Sequence, residues 1–154
     1  MRISEINPDA LSSEQKEIYD RITAGPRGQV RGPYHAYLLH PGVCEGVERM
    51  GHFLRFAATL PGNLRELAIL TVGRHWKAEF EWFAHAPIAI REGLSEDIVE
   101  AIRDGEAPTF TNDDEAAVHG FTRALLETGR VDDDVYADMK SRFGEDGIVE
   151  LTGI

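Results

Sequence analysis

Residues 61–93 read PGNLRELAILTVGRHWKAEFEWFAHAPIAIREG, and the fold turns on whether they make one helix or two. Leu64, Leu67, Ile69, Leu70, Val72 and Trp76 are apolar over more than one helical face, the pattern of a segment buried on several sides. A second helical pattern runs over about 78–92, with Gly93 as its stop and Pro87 expected to kink or break it just after His85. In one continuous helix Glu66 and His85 would stand roughly 28 Å apart, at 1.5 Å per residue. Folded as a hairpin turning near Lys77, they come within about one turn of the same level. Only the hairpin supports a joint site. In it, Glu81 lies four residues before His85 on one helical face, where a carboxylate can orient an imidazole, fix its tautomer and raise its basicity.

Each of these residues also has a purely structural reading. With Asn63 as N-cap, Glu66 falls at the third helical position and completes a capping box. His85, between Ala84 and Ala86, reads equally as a hydrogen-bonded core histidine, and Glu79 as an exposed acid. Trp82 and Phe83 read as core packing. His75 matches no motif position, and His35, His40, His52 and His119 share no ligand spacing, so a metal is not expected; no P-loop or dinucleotide glycine fingerprint is present either.

Outward from this stretch every signal is helical. Ser12 with Gln15 is a capping box that starts a helix over roughly 13–23. The segment AGPRGQVRGP at 24–33 is a loop, either a pocket wall or a connector. Tyr34 to His40 suggests a short helix stopped by Pro41. Residues 42–59 carry Val43, Val47, Met50, Leu54 and Ala57 as the apolar stripe of an amphipathic helix, with Phe53 at its edge, Phe56 towards the far side and His52 opposite. Ser95, Asn112 (with Glu115) and Asp132 cap three further helices, and Gly105 and Gly144 end the first and third of them. A last helix begins at Asp146. No stretch alternates as a strand does. The expectation is an all-α single domain over 1–154, a bundle of about six to seven helices around a central hairpin.

The chain has 154 residues with 27 acidic against 16 basic, a net charge of −11. Clustered Lys and Arg are lacking, which argues against nucleic acid as a partner. A carboxylate ligand would need a local cation, for which Arg65 and Arg74 are placed. No apolar run approaches a membrane span and residues 1–4 open no apolar leader, so no membrane partner is expected and the cytoplasm is the expected location. The single cysteine, Cys44, rules out a dithiol cycle within one subunit and reads as a small half-buried helix residue.

Glu66, eleven intervening residues, positions 78 and 81, and His85 resemble the signature of the carboxymuconolactone decarboxylase and alkylhydroperoxidase-D-like (AhpD-like) superfamily. The likeness extends from about residue 14 through GPRGQVRGPYHAYLLHPG, RELAILTVGRHW, FEWFAHAPIAIREGLS and FTRALLETGRV. The peroxidase branch has cysteines at the positions of Ala78 and Glu81; the decarboxylase-type branch lacks that pair, and this chain resembles it. The resemblance implies an AhpD-like helical fold and a homo-oligomer, trimer or hexamer. It also implies a cofactor-free lyase acting on a small carboxylated lactone, with Glu66, Glu81 and His85 catalytic. In that reading His85 stabilises an oxyanion, Glu81 orients it and Glu66 donates the proton. Related sequences commonly continue into a further apolar helix, so a final helix is expected to be lacking here. Peroxidase activity and a non-enzymatic, small-molecule-binding oligomer are the alternatives.

Overall fold

A computed structural model describes residues 2–154; Met1, part of the opening that reads as no apolar leader, lies outside the described residues. Among the described residues the chain is all-α, with eight α-helices, one short 3-10 turn and no strand. It packs into two compact units, residues 1–58 and 59–154.

The first unit holds α1 (Ser13–Ala24), α2 (Tyr34–Tyr37) and α3 (Pro41–Phe56). The capping box forms reciprocally: the Gln15 amide N–H donates to Ser12 Oγ at 3.2 Å and the Ser12 N–H to Gln15 Oε1 at 2.9 Å. Ile18, Ile22, Val30, Leu38 and Cys44 form its core. Pro41 opens α3 rather than stopping a helix, because a first-turn residue needs no N–H partner; His40 caps it, accepting from the Val43 N–H at 3.3 Å.

The apolar stripe of α3 does not face this core. Val43, Val47, Met50 and Phe53 are 37–53% exposed, whereas Cys44 and Glu48 are buried. Ion pairs set this orientation: Arg21 of α1 reaches Glu48 at 3.3 Å and also pairs with Glu45, which turns the Cys44–Glu48 side of α3 inward. Cys44 is fully buried rather than half-buried, and burial pushes its thiol pKa up.

In the second unit α4 (Gly62–His75) is the centre. Leu64, Leu67 and Leu70 are buried on it, each contributing roughly 1.5–3 kcal/mol by removal from water, among Ile98, Ile102, Val118, Phe121, Met139 and Leu151 of the surrounding helices. The hairpin is realised. α4 ends with Lys77 at φ 53°, the Ala78 N–H on the Gly73 carbonyl (2.8 Å) and the Lys77 N–H on the Arg74 carbonyl (3.2 Å). That is a Schellman turn with lysine where glycine is usual.

The chain then reverses into α5 (Glu79–Arg91), which runs unbroken through Pro87. The expected break is missing because the lost donor would serve the Phe83 carbonyl, and both Phe83 and Pro87 stand on the exposed side. Beyond α5 come α6 (Glu96–Asp104), α7 (Asp113–Thr128) and α8 (Asp133–Gly153), the last interrupted at Gly144 (φ 67°, ψ −175°) where a stop was expected. Near its end, Glu150 turns inward and accepts hydrogen bonds at 3.0 Å from the Thr59 N–H, the Thr59 hydroxyl and the Leu60 N–H. No helix among the described residues is long and apolar enough to cross a membrane.

Candidate active site

The hairpin brings together all three residues singled out from the sequence. Glu66 lies on α4 with no exposed surface, while His85 and Glu81 lie on α5 with side chains 15% and 38% exposed. Glu66 Oε2 is 2.6 Å from His85 Nδ1, and Glu81 Oε2 is 3.5 Å from His85 Nε2. One imidazole is thus held between two carboxylates, one on each ring nitrogen.

The capping-box reading of Glu66 fails on geometry. α4 begins at Gly62, two residues earlier than an Asn63 cap allows, with Pro61 at the cap position. Asn63 instead donates from Nδ2 to Glu115 Oε1 at 3.1 Å, which also takes Glu115 out of its expected capping role. Asn112 caps α7 through the Asp114 N–H, at 2.9 Å. Nothing remains for the Glu66 carboxylate to serve except His85 and Arg65, whose Nε lies 3.4 Å from Oε1.

The two acids sit in different surroundings: Glu66 makes the shorter contact with the ring and Glu81 the longer. An ionised Glu66 can only accept, which puts a hydrogen on Nδ1 and fixes the ring. The short contact and complete burial suit Glu66 to hold the ring in place. Glu81, farther from the ring and open to solvent, shares the Nε2 edge. At 3.5 Å the contact is an ion-pairing distance rather than a hydrogen bond, and it sets an exposed carboxylate beside the outer edge of the ring. The row Arg65, Glu66, His85, Glu81 runs from the buried side of α4 to the solvent-facing side of α5.

Gly73 of α4, not singled out from sequence, faces this edge: a β-carbon built there sits 3.5 Å from Glu81 Cβ, so the helices are in contact at that level. Trp82 packs on the core as expected, but Phe83 is 76% exposed and does not. His75 stacks edge-on against Trp76, at 4.9 Å between ring centroids, and takes no part in the row. Among the described residues no three His, Cys, Asp or Glu side chains are grouped as a metal site. No protein-family model, no curated protein and no solved structure matches this chain.

Proposed function

We propose that the chain is a cofactor-free lyase of the carboxymuconolactone decarboxylase type, with an AhpD-like helical arrangement, acting on a small carboxylated lactone or a related acid. The observation that carries this reading is His85 fixed between buried Glu66 and solvent-facing Glu81. In such a reaction the bond from carbon to the departing CO₂ breaks. Its electron pair runs through the ring alkene to the lactone carbonyl, and a proton must then reach carbon. His85 Nε2–H is suited to hold the developing oxyanion, and Glu81, open to solvent from which it can draw a separate proton, is suited to deliver that proton to carbon. Glu66 keeps the ring oriented throughout.

Thiol peroxidase chemistry is less well supported. Ala78 and Glu81 carry no sulfur, and Cys44 is buried with its pKa raised chiefly by burial, the reverse of an activated thiol. We further propose a homo-oligomer; the outward stripe of Val43, Val47, Met50 and Phe53 supports it, and Met50→Glu should then shift the elution volume towards the monomer.

The test is ultraviolet loss of 4-carboxymuconolactone by the protein and by His85→Ala. Turnover lost in the variant, with the fold retained, supports the lyase reading. No turnover in either protein, both folded, removes this substrate and leaves a non-enzymatic binding role as the better account.

A further inference from the structure

The second unit contains a cleft, of about 440 Å³, that none of Glu66, Glu81 and His85 lines. It lies on another flank of α4, towards the end of α6 and the middle of α7. In a chain with 27 acidic against 16 basic residues, four side chains able to carry positive charge meet around it: Arg74, His75, His119 and Arg123. Ile102 and Leu126 supply apolar lining.

Of these cations, Arg123 is already paired, to Glu127 one turn on. Arg74 is not: its Nε donates to the Arg103 carbonyl at 2.9 Å, and among the described residues no carboxylate lies within ion-pairing distance of it. Its terminal nitrogens lie over Gly105, where φ is +81° and a β-carbon would stand 2.7 Å from Nη2. Glycine there ends α6 and also keeps the space that the guanidinium fills. His119 is held uncharged at neutral pH, because burial first and Arg123 second lower its pKa. The cleft is lined by two arginines against Glu106 and Glu127, formally balanced, with a neutral imidazole beside them; Arg74 is the cation that no carboxylate pairs directly, and Glu106 limits the site to a singly charged ligand.

We propose that this cleft binds a small monocarboxylate with an apolar body, its carboxylate on the free edge of Arg74 and its body against Ile102 and Leu126. A planar guanidinium fork matches a carboxylate in two parallel hydrogen bonds. The site is separate from the His85 row and does not rest on the lyase reading.

Benzoate is the probe, followed by calorimetry and by the emission of Trp76, whose ring packs on His75 at the cleft. Saturable binding is expected with a dissociation constant on the order of 1 mM, as ligand-efficiency bounds allow for so small a molecule. Arg74→Gln should weaken it roughly tenfold or more. Leu126→Trp, which takes up cleft volume and leaves the arginine in the sequence, should abolish it, read by calorimetry, in a protein that melts as the parent does. His85→Ala should leave it unchanged. Binding that survives both cleft substitutions, binding lost in His85→Ala, no binding at all, or inorganic phosphate bound as tightly as benzoate would each overturn the proposal.

Discussion

The second unit buries three glutamates on its helices, and two of them, Glu150 and Glu66, could hardly be used more differently. Glu150 is surrounded by donors that do not titrate: two backbone N–H groups and a hydroxyl, from Thr59 and Leu60. Its burial, the largest single influence, works to raise its pKa, yet those hydrogen bonds together outweigh it and hold the carboxyl below its ordinary range. Glu66 is at least as buried, but its short contact is to a ring that gains and loses protons, and that ring leads on to an exposed acid. A buried carboxylate alone therefore marks nothing. What separates a strut from a candidate site is whether its partners can carry a proton away.

The sharpest way to break this comparison is to neutralise each acid in turn. Glu66→Gln keeps the shape and an oxygen that accepts from Nδ1–H, so the denaturation midpoint should move by less than about 1 kcal/mol equivalent, while under the proposed lyase reading turnover falls on the order of 10²-fold. Loss of stability with unchanged turnover would make Glu66 another strut. Glu150→Gln should do the opposite, costing about 2 kcal/mol in urea titration, because an amide cannot accept from all three donors, with turnover per folded molecule preserved.

Acid should distinguish the two again. Since the folded carboxyl of Glu150 titrates below its unfolded value, the unfolded chain takes up the proton first as pH falls. The stabilisation is complete above the ordinary glutamate value of about 4.3 and is lost as pH drops through the lower folded value. Melting temperature followed from pH 6 down to pH 2, at steps of roughly half a unit, should fall less steeply in Glu150→Gln than in the parent; parallel curves would disprove the linkage.

A smaller effect sharpens the Glu66 side. Glu81→Gln, at the longer contact, should slow turnover by about tenfold or less, well short of Glu66→Gln. Equal losses would return the orienting part to Glu81. Smallest is Lys77→Gly, which relieves a left-handed residue and should raise stability by up to about 1 kcal/mol, less the added freedom of the unfolded chain.

Much of this was legible because the signals are local. A cap followed by an apolar period fixes a helix, and residues four apart must share a face, so the Glu81–His85 pair and the hairpin alternative could be written down before any coordinates. Period says that α3 has a stripe, but not which way it points; that was decided by Arg21 reaching Glu45 and Glu48 from another helix. Asn63 looked like a cap because its true partner, Glu115, lies 52 residues away. Caps and period alone read Glu66 as a capping acid, and only the hairpin alternative and the resemblance pointed beyond that, because its contact with His85 is between helices. The cleft around Arg74 was invisible, since three separate elements contribute to it and no spacing links them.

Lys77 is both the bend between Glu66 and His85 and an exposed lysine in a turn, so it is also a bond open to trypsin. Cut there, the polypeptide becomes two fragments, one bearing the buried carboxylate and the other the imidazole with its surface acid. Neither fragment alone holds a complete row. Mixing them would restore it only to the extent that α4 and α5 find each other without a covalent tether, so regained activity against fragment concentration would report the grip between the two helices as a dissociation constant.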